Sequence, residues 1–360
     1  MHLKLTESRL PAAPLFLIAP FFLWGTAMVA MKAALPNTTP LFVAGVRLVP
    51  AGVLVLIGAA LMGRPQPKGG SAWLWIALFA LVDAALFQGF LAEGLVRTGA
   101  GLGSVMIDSQ PLAVALLSSW LFQETIGLWG WLGLGLGVIG ISLIGLSGER
   151  LFDFAAQVWV KAPTLEPMGF SPLELFQTGE CLMLLAALSM AVGTVIIRFV
   201  CRHADPVVAT GWHMILGGLP LFALSAGLES QQWMNLDLSG WMGLGYATVF
   251  GSAIAYGLFF YFAASGSLTS LSSLTFLTPV FALLFGRLFL FEVLSPFQWF
   301  GVGLTLVSIY IINQREALKK AVQRFSSQVE AIAIEPEHSL EPSASKELEP
   351  LTFAIKELEE

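Results

Sequence analysis

The sequence is poor in charged residues and contains only two cysteines. Charged residues make up 12% of the 360 residues, against roughly 25% in an ordinary soluble domain. Cys181 and Cys201 fall at opposite ends of one predicted helix, about 30 Å apart at the rise of an α-helix. They cannot bond to each other within that helix, so we interpret both as free thiols.

Sequence motifs of common enzymes and of nucleic-acid binders are also missing. There is no paired-histidine metal spacing, no Gly-x-Ser-x-Gly element and no Walker-type phosphate loop. We therefore expect no metal, no cofactor, no enzymatic activity and no direct use of ATP. The absence of a basic tract or zinc spacing predicts no nucleic-acid partner. The first apolar run, from about Ala12 to Leu35, ends without a small-residue cleavage site, so we expect a spanning helix rather than a signal peptide.

Apolar residues are abundant: 56% of the chain is hydrophobic. They form ten runs of about 20 residues, the length needed to cross a hydrocarbon core of about 30 Å. The sequence thus predicts an all-α integral membrane protein with ten transmembrane helices in a lipid bilayer. The predicted helices are 13–34, 40–62, 72–95, 99–122, 128–147, 179–200, 206–227, 241–263, 267–291 and 295–313.

The chain contains an internal repeat of two similar halves. An offset of 166 residues places Pro40 on Pro206, Gly45 on Gly211, Arg47 on His213 and Gly52 on Gly218; an offset of 168 places Trp73 on Trp241, Pro111 on Pro279, Glu124 on Glu292 and Trp131 on Trp299. Residues paired in this way are called repeat mates below. Because each half has five helices, the second half must enter the membrane from the opposite side, as in many secondary transporters.

Four segments follow from this pattern. The two five-helix repeats are predicted at 12–147 and 179–313, with an extramembrane connection at 148–178. Residues 316–360 are predicted to form an acidic, disordered cytoplasmic tail after a short basic helical extension. Ten Lys and Arg residues near helix ends fall on the side of the N-terminus and five on the other. By the positive-inside rule we expect both termini in the cytoplasm and the protein in the cell membrane, inner or plasma.

Several of these residues resemble a known family. Phe-Leu-Trp-Gly-Thr-Ala at 22–27, followed by Lys32, Pro40 and Arg47, resembles the opening of an EamA-type module. Leu-Phe-Gln-Glu at 121–124 and Leu-Phe-Glu-Val-Leu-Ser-Pro at 290–296 resemble its close. The chain is therefore similar, over about residues 12–313, to EamA-type transporters of the drug/metabolite transporter superfamily.

The resemblance implies a ten-helix carrier whose central cavity is lined by helices 1–4 and 6–9, with helices 5 and 10 at the periphery. It also implies export or exchange of amino acids, other metabolites or drugs, often driven by protons. The long connection, the acidic tail and the carboxylates in helices 3 and 4 depart from the family pattern.

Polar residues near the middle of the predicted helices are the first site candidates. Trp24, Asp83 and Asp108 fall near the midplane, and the long side chain of Arg47 can reach towards it. A charge at this depth is costly, about 2.5–3.5 kcal/mol on insertion scales. We expect Asp83 and Asp108, with Arg47 as counter-ion, to bind substrate or protons; the alternative is an ion pair that only fixes helix packing. Trp24 either stacks on a substrate or packs against its neighbours.

Four further residues are candidates for binding substrate or protons. Gln88 and Gln110 offer hydrogen bonds to a solute, although Gln110 precedes Pro111 and is also placed to satisfy freed carbonyls. His213 suits proton coupling, or is a packing histidine. Tyr256, the repeat mate of Gln88, is a candidate cavity residue.

Pro111 and Pro279 are predicted to lie within helices, where they act as hinges or as static kinks. Glu124 and Glu292 are expected to cap the following helices. The glycines of helices 5 and 10 pack either within the bundle or at a homodimer seam.

Two functions remain open at this point. The first is a secondary carrier that exports a small organic solute by alternating access, coupled or not to protons. The second is a membrane receptor or scaffold whose acidic tail recruits a partner.

Overall fold

The computed structural model describes residues 13–32, 37–97, 106–145, 179–290 and 295–323. Up to Asn313 these ranges form ten helices and no strand. The helices of the first half are α1 (Ala13–Lys32), α2 (Pro40–Leu61), α3 (Gly70–Arg97), α4 (Gln110–Phe122) and α5 (Gly127–Gly145). Those of the second half are α6 (Gly179–Val200), α7 (Pro206–Leu228), α8 (Leu238–Ala263), α9 (Leu268–Leu290) and α10 (Pro296–Asn313).

Eight of the described helices are long and apolar enough to cross a membrane, and α1 and α4 contribute shorter apolar helices, Leu15–Ala30 and Gln110–Phe122. The chain is an all-α multi-pass membrane protein. Nine of the ten helices begin and end within three residues of the predicted bounds. The connection 148–178, Glu292 and the side chain of Lys32 lie outside the described residues, as does the tail beyond a separate helix over 315–323.

The contacts between α2 and α7 follow a two-fold pattern. A Cβ atom added to Gly52 would lie 2.7 Å from Cγ1 of Ile215, and one added to Gly218 would lie 2.8 Å from Cγ2 of Val49. Gly52 and Gly218 are repeat mates, as are Val49 and Ile215. Each contact is therefore the counterpart of the other, which is the signature of two inverted repeats meeting at their seam.

Helices α5 and α10 show the same symmetry. A Cβ atom on Gly133 would lie 2.5 Å from Cγ1 of Ile312, and one on its mate Gly301 would lie 3.1 Å from Cγ1 of Ile144, the mate of Ile312. These glycines thus pack within the bundle. The largest buried cluster takes no fully buried residue from α5 or α10, which places the pair at its periphery, as the resemblance implied.

The other helices cross between halves. Helix α1 packs against α8 and α9 of the second half, and its mate α6 packs against α3 and α4 of the first. The middle of the bundle is therefore built from both repeats in equal measure.

Helices α3 and α8 each contain a π-helical segment, at Ala80–Leu86 and Ala247–Ile254. The two segments occupy matching places in the repeats. A π segment carries one residue more per hydrogen-bonded turn than an α-helix and often marks a functional site. The apolar runs alone did not predict them.

Pro111 and Pro279, which are repeat mates, lie beside helix breaks. The prediction that Pro111 lies mid-helix is wrong for the described residues: a turn at residues 108–109 precedes α4, and Pro111 is in its first turn, where the missing N–H costs no helical hydrogen bond. Pro279 follows a 3-10 turn at Leu274–Phe276, near the start of the Leu277–Leu290 segment. Their role as hinges stays a prediction.

Candidate functional site

Asp83 is buried at the centre of the bundle and bonds to a histidine of the other repeat. Its Oδ2 atom lies 3.2 Å from Nε2 of His213, and both side chains are at most 1% exposed. The prediction that Arg47 is the counter-ion of Asp83 is therefore wrong, since the nearest titratable partner comes from α7.

Small residues create the space for this pair. A Cβ atom on Gly193 of α6 would collide with the carboxylate of Asp83, and one on Gly217 of α7 would lie 2.7 Å from the carbonyl oxygen of Ala80. The π segment of α3 can thus approach both α6 and α7 closely. A side chain at either glycine would prevent this approach.

Arg47 occupies the equivalent place on the other side of the seam. Its Nε and Nη2 atoms lie 3.4 and 3.3 Å from Oγ of Ser252 in the π segment of α8. Ser252 follows Gly251, the repeat mate of Asp83. The same contact between halves is therefore made twice, once as His213 with a carboxylate and once as Arg47 with a hydroxyl. The repeat itself was the signal that sequence reasoning could have used to find Ser252.

Gln88 and Tyr256 are repeat mates that bond to each other. Gln88 donates from Nε2 to the Tyr256 hydroxyl at 2.8 Å, and both are buried. Two equivalent residues can touch only near the pseudo-two-fold axis, so this hydrogen bond marks the axis. Tyr256 also interacts electrostatically with both Asp83 and Arg47.

Trp24 faces the same place from α1. Its ring makes an edge contact with Tyr256 at 5.2 Å and a tilted contact with Phe259 at 5.1 Å between centroids. Its indole Nε1 is buried and has no hydrogen-bond partner in the described part of the chain. The packing interpretation accounts for the ring but leaves the N–H unexplained.

Asp108 and Gln110 lie at the start of α4. Asp108 is in the turn before the helix and is half-buried. Gln110 is buried and donates weakly to Oγ1 of Thr194 on α6 at 3.4 Å. Gln110 therefore bonds a side chain of the other half, and the expectation that it satisfies a carbonyl freed by Pro111 is not seen.

Three buried polar atoms of these candidates have no partner within the described residues: Nε1 of Trp24, Oδ1 of Asp83 and Oε1 of Gln110. Such atoms are rare in folded proteins because each costs about 1–3 kcal/mol. They comprise one donor and two acceptors. Across the described residues no cluster of three His, Cys, Asp or Glu side chains is placed to hold a metal ion.

The expected central cavity is closed around these groups, since Asp83, Gln88 and His213 are almost fully buried. Two grooves of about 440 and 550 Å³ lie elsewhere, on the apolar outer faces between α2 and α8 and between α1, α8 and α9. They are lined mostly by apolar side chains, as expected of surfaces facing lipid.

Arg198, at the end of α6, links three helices at one end of the bundle. Its guanidinium donates to the carbonyl oxygens of Ala263, the last residue of α8, and of Gly266, in the turn that follows, and lies 4.8 Å from the centroid of the Phe122 ring. Glu124 accepts a hydrogen bond from Ser267, the residue that caps α9. We expected Glu124 to cap the next helix; the structure shows that Glu124 and Arg198 both bind the turn between α8 and α9.

The bundle, its two-fold contacts and its buried polar centre agree with known proteins. The sequence profile of the EamA-like transporter family matches residues 11–146 and 177–314, once for each half. The chain belongs to this family. The family assignment made from the motifs at 22–27, 121–124 and 290–296 is thereby confirmed.

Several proteins resemble this family member over most of its length. An uncharacterized transporter, sll0355, of Synechocystis sp. is 66% identical over 305 residues, which are 85% of this chain and 91% of the relative. WAT1-related protein At3g02690, chloroplastic, of Arabidopsis thaliana is 52% identical over 301 residues, 82% of this chain and 68% of the relative. A crystal structure aligns with a TM-score of 0.65 at 16% identity, covering 84% of this chain and 96% of the other, which shows a common fold.

Proposed function

We propose that this EamA-family transporter is a secondary carrier that exports a small organic solute by alternating access, with proton coupling. The observation that carries the proposal is the buried polar centre on the pseudo-two-fold axis, where Gln88 meets Tyr256 and Asp83 meets His213. Polar groups so deep in a bundle are expensive unless they serve a path or a ligand. In inverted-repeat carriers the solute site lies at this seam.

The unpaired atoms favour a solute with groups of opposite character. The unpaired Trp24 N–H, and the guanidinium of Arg47 beside Ser252, present donors, which suit a carboxylate or another acceptor. Oδ1 of Asp83 and Oε1 of Gln110 present acceptors, which suit an ammonium or amide. Amino acids and related metabolites carry both kinds of group, so we propose this solute class.

The relatives support a transport function but do not identify the membrane in which this protein lies. The Synechocystis relative is called a transporter, and the Arabidopsis relative is described as chloroplastic. We propose the cell membrane, with both termini in the cytoplasm, because helix-flanking Lys and Arg are twice as frequent on that side.

Deletion of residues 325–360 should leave transport intact. The receptor or scaffold alternative is favoured if the purified protein transports no solute.

Counterflow in liposomes, with an amino-acid and metabolite panel, tests the carrier. Liposomes that contain the protein and are loaded with an unlabelled solute should accumulate the same solute in labelled form. Arg47→Gln and Asp108→Asn should each reduce this exchange at least tenfold while membrane insertion is unchanged. Arg97→Gln is the matched control, because Arg97 is exposed and forms a surface pair with Glu93, four residues earlier. Equal rates in the site variants and in wild type would refute the proposed site.

A further inference from the structure

Both ring nitrogens of His213 face oxygen atoms. Nδ1 lies 2.6 Å from the backbone carbonyl oxygen of Thr210, and Nε2 lies 3.2 Å from Oδ2 of Asp83. A carbonyl oxygen can only accept a hydrogen bond, so Nδ1 must carry a proton. The tautomer of His213 is therefore set by the Thr210 contact.

The second contact then fixes how many protons the pair holds. A neutral imidazole has one N–H, already donated to Thr210, so its Nε2 offers a lone pair. An ionised carboxylate also offers only lone pairs, and the two would repel at 3.2 Å. The contact is favourable only with one more proton, carried either by Nε2 of His213 or by Oδ2 of Asp83.

We propose that the Asp83–His213 pair is a proton-binding site of the carrier, and that the described arrangement is its proton-loaded form. Release of that proton to solvent leaves a carboxylate facing an imidazole lone pair. The bond between α3 and α7 is then lost, and Asp83 becomes free to bind a cationic group of the solute. Proton and solute would thus compete for one carboxylate.

The surroundings of the pair suit this role. Phe79 stacks on His213 with 4.0 Å between ring centroids, and Phe260 makes an edge contact at 5.4 Å. These rings help to exclude water from the pair, so water cannot take the place of the missing proton between the two side chains. The contact distances, not burial alone, require the extra proton.

Charged and titratable groups reach the pair from two further helices. Tyr256 of α8 interacts electrostatically with Asp83, and Arg47 of α2 interacts electrostatically with Tyr256. Helix α6 presents Gly193 to the carboxylate.

The protonation half of this inference can be tested without any solute. ¹⁵N-histidine-labelled protein in lipid nanodiscs would be titrated from about pH 5 to about pH 8, where histidine ordinarily changes charge. ¹⁵N NMR counts the protons on each ring nitrogen, and the carboxyl infrared band reports Asp83. At low pH we expect the His213 Nδ1–H together with one further proton, on Nε2 or on the carboxyl group, and its loss as the pH rises.

Two variants assign the signal. Asp83→Asn places an amide N–H against Nε2, so the titration of His213 should disappear; His213→Gln should remove the same proton even if the first variant folds poorly. His203→Gln is the control, because His203 lies outside the pair, next to Trp75. A neutral imidazole that carries its proton on Nε2 and none on Nδ1, beside an ionised Asp83 at every pH, would overturn the proton site. Protons that do not change across the range would overturn the switch.

The coupling half rests on the proposed function and has a separate readout. Counterflow by wild type and by His203→Gln should respond alike to external pH, while any exchange left in Asp83→Asn should not respond. Absence of wild-type counterflow would count against the carrier and leave the NMR result standing. A wild-type pH response in Asp83→Asn would overturn coupling through this pair.

Discussion

The carboxylate of Glu229, just after α7, accepts a hydrogen bond from the hydroxyl of Thr39, just before α2, at 2.8 Å. It also accepts from the backbone N–H groups of Leu41 and Phe42, at 2.8 and 3.0 Å. Asp205, the repeat mate of Thr39, instead caps its own helix α7. The first turn of α2 is therefore capped by the opposite repeat.

Loss of the Glu229 carboxylate should loosen this joint. Glu229→Ala leaves the N–H groups of Leu41 and Phe42 without their acceptor, and loss of a helix cap costs about 1 kcal/mol. We expect a lower apparent Tm in detergent, measured by thermal denaturation. Glu93→Ala is the control, since its pair with Arg97 is at the surface and contributes little. A Tm as low in the control as in Glu229→Ala would contradict the capping role.

The seam between α2 and α7 should not tolerate a methyl group. In Gly52→Ala the new Cβ would lie 2.6 Å from the carbonyl oxygen of Gly211, and overpacking of this kind costs about 1–3 kcal/mol. Gly58→Ala, on the same helix, meets no atom within 4 Å and should be neutral or stabilising. Folded yield and Tm of the two variants measure the difference, which would vanish if the helices were not in backbone contact.

Arg198 should hold one end of the bundle shut. Arg198→Gln loses the donors to Ala263 and Gly266, so the start of α9 should become more accessible. A cysteine introduced as Thr269→Cys, at a fully buried position, should react faster with a maleimide when Arg198→Gln is added. Arg202→Gln is the control, because Arg202 lies over the Phe199 ring in the next turn. An unchanged rate would exclude Arg198 from closure.

Cys201 should react slowly and with a steep pH dependence. Burial, and secondarily the nearby Asp205 carboxylate, raises the pKa of its thiol to about 12. Only the thiolate is nucleophilic, so the thiolate fraction and the alkylation rate should rise about tenfold per pH unit below that pKa. Labelling in a Cys181→Ala background measures this. A plateau near pH 9 would contradict the shift.

The bounds of nine helices followed from the sequence because lipid demands about 20 apolar residues per crossing, whereas α4 begins at Gln110, after a turn that the apolar run did not predict. The partner of Asp83 did not follow, because hydropathy in a membrane helix says little about which way a side chain faces. Depth alone suggested Arg47 for Asp83. The structure shows that Gly193 and Gly217 let α3 approach α6 and α7 closely at Asp83, and the sequence analysis did not identify these glycines as its neighbours.

The repeat contained more information than we drew from it. Pairing Arg47 with His213 already implied equivalent partners in the opposite repeat, which points to Asp83 for one and to the region of Gly251 for the other. The π segments at 80–86 and 247–254 were beyond reach, because an extra residue in a helical turn leaves no mark on an all-apolar pattern. Asp83 lies within the first of these segments and Gly251 within the second.

Each π segment stores one surplus residue in a helix that crosses the bundle centre. A return of either segment to α pitch would turn everything beyond it by about 100° around the helix axis. Gln88 and Tyr256 are the first polar residues beyond the two segments. A change of winding in one helix alone would part them and open the axis, with no need for any helix to slide.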